Sequence, residues 1–270
     1  MNNSIYKSAY VCLLLAVGLL LTTAGLASAP PVQNMVGTWP GFYQEAFGPH
    51  VATRIEINGQ TNRRFTGFVS PPDPVQPVPI EGTVSASGNV NFQGRSTETR
   101  LVGNSDLQDF GGGGAILNGR MTRFESDGRL IIPCVLVMRS FDGAPPETGT
   151  PTGRFVGTLA SDENGPAGEI DMVLGNPPDP VRPTSFGGSL DISLAGQTHT
   201  FELLGTVNAD GRFIAIAQTE AGHLILDAVL SNPPDPVAPA TINGSFTLEL
   251  EEGSAYEGTF QTELTRSTAG

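Results

Sequence analysis

Hydrophobic and polar residues alternate along most of the chain after residue 30. In residues 190–194 and 246–250 every second residue is Leu, Ile or Phe, and the residues between them are polar. A period of two is typical of a β-strand with one buried face. No stretch beyond the first 29 residues has helical spacing over ten residues. The pattern therefore predicts an all-β protein.

Turn-forming residues separate the alternating runs at hairpin distances. Asn-Gly, Asp-Gly and similar turn sequences lie at residues 58–59, 87–89, 118–119, 127–128, 208–211 and 252–253. Such sequences between alternating runs are typical of β-hairpins. Counting the runs predicts about 17 short strands, nine before residue 141 and eight from Gly153 onward. The expected fold is an antiparallel meander.

A segment rich in Pro, Gly and Thr, residues 142–152, divides the meander into residues 30–141 and 153–264. Eight strands in each half would suffice for an up-and-down barrel wide enough for one small ligand. We expect two tandem barrel-like or sandwich-like halves joined by this connector. One continuous closed β domain is the alternative. Residues 265–270 are polar, and we expect a frayed tail.

The first 29 residues have the pattern of a secretory signal peptide. Lys7 is followed by the apolar run of residues 11–21 and then by small residues. The run is shorter than the roughly 20 residues that a membrane span needs. Cleavage is expected between Ala27 and Ala29. The predicted product is exported to the periplasm or the medium and has no integral membrane span.

Charge and composition exclude several function classes. Without the leader, the chain has thirteen arginines and no lysine against 27 acidic residues, and Cys134 is its one cysteine. Disulfides within the chain and lysine-based covalent catalysis are excluded. An acidic chain without a basic cluster is also unsuited to nucleic acid. Walker, dinucleotide-binding and nucleophile-elbow motifs are absent, so no catalytic residue, cofactor or metal is predicted.

A repeated proline segment is the most specific feature of the sequence. Three copies of Pro-Pro-Asp-Pro-Val-x-Pro lie at residues 71–77, 177–183 and 233–239, and residues 145–151 look like a shortened copy. Consecutive prolines remove the N–H donors that a sheet needs and favour extended backbone. Each copy is therefore predicted to be a stiff loop between strands, and duplication is its simplest origin.

The repeats suggest one shared surface. Even numbers of predicted strands separate the four copies, and in a meander an even number returns the chain to the same end. All four loops are then expected on one rim. This rim would present the candidate binding residues Asp73, Asp179, Asp235 and Arg182. Rigid hairpin connectors without a binding role are the structural alternative.

The first strand carries two more candidate binding residues, Trp39 and Tyr43. With Gly41 they should share one face, where Trp39 either closes the end of a barrel or contacts a ligand. Gly37-Thr38-Trp39 resembles the opening of the first strand in lipocalins and avidin-like barrels. The further tryptophans of avidin and a second lipocalin motif are absent.

Cys134 lies in the most apolar run of the chain, residues 131–138. Apolar residues on both alternating faces predict a strand covered on both sides, in the core or at an interface. Pro133 within this run predicts a bulge or a hidden edge strand. Cys134 is interpreted as a small buried hydrophobic residue that is inert by burial.

These features lead to three functional hypotheses. The first is an exported, non-enzymatic repeat module that binds a protein or surface partner through the proline-loop rim. The second is a carrier of a small apolar molecule inside a calycin-like barrel. The third is a secreted hydrolase that uses carboxylates from distant strands. The absence of catalytic motifs favours the first over the third.

Overall fold

The computed structural model describes residues 32–44, 50–70, 76–125, 128–162, 167–175, 183–194, 196–219, 222–232, 238–250 and 253–265. Within these ranges the chain forms sixteen strands and no helix. The strands are β1 (Gly37–Gln44), β2 (His50–Thr61), β3 (Arg64–Ser70), β4 (Val78–Val84), β5 (Asn89–Arg95), β6 (Arg100–Asp109), β7 (Ala115–Glu125), β8 (Gly128–Arg139), β9 (Gly153–Ser161), β10 (Ala167–Leu174), β11 (Ser185–Leu194), β12 (Gln197–Val207), β13 (Arg212–Thr219), β14 (Gly222–Ser231), β15 (Thr241–Leu250) and β16 (Ala255–Thr265).

The strands form two closed antiparallel barrels, β1–β8 and β9–β16. In each barrel the strands pair in sequence order, and the last strand pairs with the first. The prediction of an all-β chain with two tandem barrel-like halves is confirmed. A single continuous closed sheet is not what forms.

The first barrel has eight strands where the turn signals predicted nine. Asn58 and Gly59 lie inside β2, where the pairing with β3 shifts by one residue between Ile57 and Gly59. The actual turn follows at Asn62, whose φ of 54° lies in the left-handed region that Asn tolerates. Gly119 likewise lies inside β7, beside a register shift with β8. A β-bulge and a hairpin turn favour the same residues, which explains the miscount.

Phenylalanine rings that lie over glycines fill much of both barrel interiors. Phe65 pairs with Gly82 across β3 and β4, and Phe92 pairs with Gly103 across β5 and β6. Phe186 and Gly205 repeat the arrangement in the second barrel. A Cβ atom at any of these three glycines would collide with the facing ring. Glycine leaves room in the strand, and the ring covers the exposed backbone.

Trp39 and Arg139 close one end of the first barrel. Trp39 is fully buried, and its Nε1 donates to the carbonyl oxygen of Met35 at 3.0 Å. The Arg139 guanidinium lies 5.1 Å from the centroid of the Trp39 ring and donates to three backbone carbonyls. Burial lowers the pKa of Arg139, against an opposing effect of Asp142 and Asp109.

The two barrels pack against each other through outward-facing apolar residues. The first barrel contributes the buried residues Phe42, Ile116, Leu136 and Met138, and the segment after β8 contributes Phe141. The second barrel contributes Ile214 and Ile216 from β13. In β8, Val135 and Val137 point into the first barrel, whereas Leu136 and Met138 face the interface. The prediction of a strand covered on both sides is confirmed.

Pro133 and Cys134 form the predicted bulge in β8. The β7 pairing moves from Gly119 opposite Val135 to Met121 opposite Ile132, so these two residues face only Arg120. Pro133 is exposed, and Cys134 is partly buried beside the interface. The bulge removes the conflict between a proline and a strand interior.

The strands that flank the four proline segments do not all meet at one end of the barrels. The segments at 145–151, 177–183 and 233–239 are separated by two and four strands, and their flanking strands meet at the end where β9 begins. Asn232 Nδ2 donates to Thr148 Oγ1 across that end at 2.8 Å. Five strands, not six, lie between the segment at 71–77 and the connector. The residues that flank this segment, Ser70 and Val78, therefore lie at the end of the first barrel opposite to the connector. The single-rim prediction is wrong for this copy because one strand too many was counted.

The signal peptide of residues 1–29, its cleavage site and the tail of residues 266–270 lie outside the described residues. In the described part of the chain, no helix is both long and apolar enough to cross a membrane. The connector lies between β8 and β9, in residues 140–152.

Candidate functional site

Only two of the six predicted binding residues lie in the described part of the chain. Asp73, Asp179, Arg182 and Asp235 fall outside it. Trp39 and Tyr43 point into the first barrel, with exposed fractions of 0% and 4%. Both belong to the apolar cluster that fills this barrel, and Tyr43 pairs with Val135 of β8. Neither side chain is part of an accessible surface.

A broad outer groove lies on the first barrel, across the outward faces of β2 to β6. One part has a volume of about 760 Å³ and an adjoining part about 560 Å³, with Thr66, Glu81 and Gln93 common to both. The outward side chains that line it, and define it here, are Asn58, Arg64, Thr66, Phe68, Pro79, Glu81, Thr83, Asn91, Gln93, Arg95, Arg100 and Val102. Because β1, β7 and β8 contact the second barrel, the groove faces away from it.

Two arginines face each other directly in this groove. Arg95 of β5 pairs with Arg100 of β6 at the hairpin end. Like charges at such positions repel each other and weaken the pairing. Arg100 lies over the Phe124 ring at 5.4 Å from its centroid. Among the described residues, no carboxylate forms an ion pair with either guanidinium, although Glu81 shares the groove and is hydrogen bonded to Gln93.

The two halves of the chain differ in charge. Residues 33–141 contain nine arginines and nine acidic residues, whereas residues 153–264 contain three arginines and sixteen acidic residues. In the second barrel, Arg154 and Arg212 are paired with Asp171 and Asp227. The groove therefore lies on the barrel that retains cationic charge in an acidic protein.

Two rows of polar side chains meet at one edge of the barrel interface. In the first barrel, Gln44 pairs with His50 on one side and with Cys134 on the other. In the second barrel, Glu202, Gln218, His223 and Glu249 are cross-strand neighbours in β12 to β15. Directly opposed residues share a face of the sheet, so each row presents its side chains to the other barrel. We call these seven residues the polar seam.

Three contacts join the rows, and a fourth joins the second row to Asn118 of β7. His50 Nε2 lies 3.6 Å from Glu202 Oε2, and Gln218 Nε2 donates to Gln44 Oε1 at 3.2 Å. Cys134 Sγ lies 3.7 Å from His223 Nδ1, and Asn118 Nδ2 lies 3.3 Å from His223 Nε2. Within the second row, His223 Nε2 also lies 3.4 Å from Glu249 Oε2. A thiol, an imidazole and a carboxylate thus form a continuous chain at the seam.

The seam holds a shielded imidazole and unused hydrogen-bonding capacity. Burial lowers the pKa of His223 below the ordinary value of 6.5, with Glu249 acting in the opposite direction. Gln218 is 0% exposed. Among the described residues, no partner hydrogen bonds to Gln218 Oε1 or to His50 Nδ1. Buried polar atoms of this kind usually have a partner, so each of these two atoms could form one more hydrogen bond.

Sequence reasoning missed the groove and the seam. The residues of the seam are scattered between positions 44 and 249, and only strand register brings them together. One signal was available in β13, where residues 213–217 are apolar on both faces and predict a covered strand. The polar Gln218 next to that run marks the point where the apolar interface ends. In the described part of the chain, no group of three or more His, Cys, Asp or Glu is arranged to hold a metal ion.

No protein family and no curated protein matches this chain by sequence. Among solved structures, kievitone hydratase from Nectria haematococca matches with a TM-score of 0.28 and 10% identity, over 90% of this chain and 95% of its own. A protein of unknown function from Nostoc punctiforme matches with a TM-score of 0.24 and 10% identity, over 86% of this chain and 96% of its own. Likenesses this weak give no information about the function of this chain.

Proposed function

We propose that the protein is an exported binding module that recognises anionic groups on a partner through the outer groove of its first barrel. The partner is a protein or surface rich in carboxylate or sulfate groups. The observation that carries the proposal is the direct opposition of Arg95 and Arg100 in the groove. Export rests on the leader pattern of residues 1–29.

The chemistry of the groove supports an anionic ligand. A guanidinium group forms bidentate hydrogen bonds with carboxylate and sulfate-like oxygens. Two opposed guanidinium groups repel each other until an anion lies between them, so binding relieves a destabilising contact. Phe68 is 38% exposed and, with Pro79, adds apolar surface to the same groove. The groove therefore fits a ligand that has both anionic and apolar parts.

The proline-loop surface of Asp179, Arg182 and Asp235 stays a second proposal. Its support is the hydrogen bond between Thr148 and Asn232, which joins the connector to the flank of the third full repeat. Asp73 belongs to the first copy, whose flanking strands β3 and β4 meet at the end of the first barrel opposite to the connector. This second proposal therefore involves only the copies of the second barrel. Replacing residues 177–183 and 233–239 with Gly-Ser segments separates this surface from the groove.

The carrier and hydrolase hypotheses have less support. Inward-facing residues of both barrels form compact clusters, with Trp39, Phe155, Phe186, Phe201 and Phe213 at 0–1% exposure. An interior site would need these side chains to move apart. A hydrolase based on Asp73, Asp179 and Asp235 would need all three carboxylates at one end, and the first copy has flanks at the opposite end of its barrel from the connector.

The groove proposal is tested by binding to immobilised alginate, dextran sulfate and neutral dextran. Wild-type protein should bind the two anionic polymers, less strongly as salt rises, and should not bind neutral dextran. Arg95→Gln/Arg100→Gln should weaken binding by about tenfold or more, or about 1.4 kcal/mol. The matched control is Arg54→Gln/Arg129→Gln, which removes the same charge from exposed arginines outside the groove.

The two variants separate a site from a general charge effect. The control should change affinity by less than about twofold, because Arg54 lies beside Glu56 and neither arginine lines the groove. Equal weakening by both variants would refute the groove as the site. Absence of wild-type binding to both anionic polymers would refute the anion proposal itself.

A further inference from the structure

We propose that Cys134 and His223 form a thiol–imidazole site that exchanges with small disulfides carrying positively charged or N–H donor groups. The thiol lies 3.7 Å from the imidazole Nδ1, within hydrogen-bonding range for sulfur. The two residues come from different barrels, so the site exists only when the barrels are docked. This inference is independent of the outer groove.

Glu249 and Asn118 determine which nitrogen of the His223 ring carries the proton. The carboxylate oxygen lies 3.4 Å from His223 Nε2 and can only accept a hydrogen bond from it. As placed, Asn118 Nδ2 faces the same nitrogen. With that amide turned so that its oxygen faces Nε2, both neighbours of Nε2 are acceptors, the proton of the neutral ring sits on Nε2, and the Nδ1 lone pair points to Cys134. A nucleophile, a base and an orienting group in this sequence are the signature of an activated thiol.

Access to Cys134 is suited to a small ligand. The residue lies on the bulge next to exposed Pro133 and is itself partly buried, with His223 13% exposed. A small disulfide can reach a thiol in such a position more easily than a folded protein can. The interpretation of Cys134 as inert by burial rested on its apolar run. Pro133 in that run indicated the bulge, but nothing in the run indicated the imidazole.

The surroundings select the chemical class of the disulfide. Gln218 Oε1 is buried and has no hydrogen-bond partner among the described residues, and Gln218 is the cross-strand neighbour of His223. Glu202 and Glu249 add carboxylates to the same row, on the barrel with sixteen acidic residues. Amide acceptors and carboxylates favour amino groups over carboxylates on the ligand.

The exchange balances without an additional oxidant. Cys134 Sγ attacks one sulfur of R–S–S–R, and its proton passes to His223 Nδ1. The bond from Cys134 to sulfur forms as the original S–S bond breaks, and the departing R–S⁻ takes the proton from His223. The products are a mixed disulfide on Cys134 and one R–SH. A neutral imidazole is required at the start, in agreement with the lowered pKa of His223.

The test measures the rate of mixed-disulfide formation on Cys134 at pH 7.5 by peptide mass spectrometry. The probes are cystamine, bis(2-hydroxyethyl) disulfide and dithiodiglycolate, which are cationic, neutral and anionic. Cystamine should react about tenfold or more faster than dithiodiglycolate at low salt, and the ratio should shrink in 0.5 M NaCl. Equal rates for the three probes, or no adduct with any, would overturn the proposal.

Variants test each role. His223→Gln should slow the cystamine reaction by about tenfold, whereas His199→Gln, which removes the imidazole that lies against Phe201 on β12, should leave it unchanged. For the positioning residue, Glu249→Ala should slow the neutral probe and Glu249→Gln, which keeps an acceptor, should restore it. An unchanged rate in His223→Gln would refute the imidazole as the base, provided circular dichroism shows the fold intact.

Discussion

Phe92 of β5 lies directly opposite Gly103 of β6, with its ring in the space where a side chain at position 103 would begin. The pair is part of a continuous pattern, because Phe92 also faces Gly82 of β4, and Gly82 faces Phe65 of β3. Glycine and phenylalanine thus alternate across four neighbouring strands. The volume that glycine leaves empty is the volume that the ring fills.

Gly103→Ala should destabilise the protein by about 1–3 kcal/mol, because the new methyl group would overpack a filled core. Urea denaturation followed by Trp39 fluorescence measures the change. In a Phe92→Leu background the same substitution should cost less, since the ring that it meets is gone. An equal cost in both backgrounds would show that the ring is not the obstacle.

Leu136→Asp should uncouple the barrels. Leu136 is fully buried between them, and an unpaired carboxylate there costs several kcal/mol. Scanning calorimetry should then resolve two unfolding transitions, whereas we expect one for the wild type because the interface couples the barrels. Val173→Asp, at a position 49% exposed on β10, is the control and should change stability by less than about 0.5 kcal/mol. A single transition in Leu136→Asp would contradict independent folding of the barrels.

Arg139→Lys should lower stability by about 2 kcal/mol or more. The guanidinium donates to the carbonyl oxygens of Gly113, Asn34 and Val36, and one ammonium group cannot reach all three. Emission from Trp39, the single tryptophan, should also shift to the red as water reaches its end of the barrel. Arg129→Lys on the exposed side of β8 should change neither property.

His223→Gln should reduce the acid sensitivity of the fold. Burial lowers the pKa of His223 in the folded protein, while unfolding restores the ordinary value of 6.5. Below pH 6.5 the unfolded chain therefore binds a proton that the folded chain does not, and the free energy of unfolding decreases as the pH is lowered. The drop in melting temperature between pH 7.5 and pH 5.5 should be smaller in the variant than in the wild type. An identical drop would show that His223 titrates alike in both states.

The alternation was enough to predict the all-β fold, since polarity with a period of two is local information. The covered faces of β8 were predictable for the same reason. The connector at residues 142–152 indicated two halves, but the sequence left open whether each half is a barrel or a sandwich. Asn58 and Gly119 misled the strand count because a bulge and a turn require the same backbone freedom. That error of one strand then misplaced the first proline segment. The meeting of Cys134 with His223 depends on register and barrel docking, which local patterns do not contain.

Both barrels have an even number of strands, and this decides where the chain enters and leaves. The beginnings of β1 and β9 and the ends of β8 and β16 all lie at one end of the paired barrels, because Ser140 and Phe141 contact Ser185 and Thr206 there. The polar seam lies toward the other end, since four residues separate Glu202 from Thr206 and six separate Cys134 from Ser140, which is about 13–20 Å of extended strand. A protein tethered to a support by either terminus would therefore display Cys134 and His223 outward.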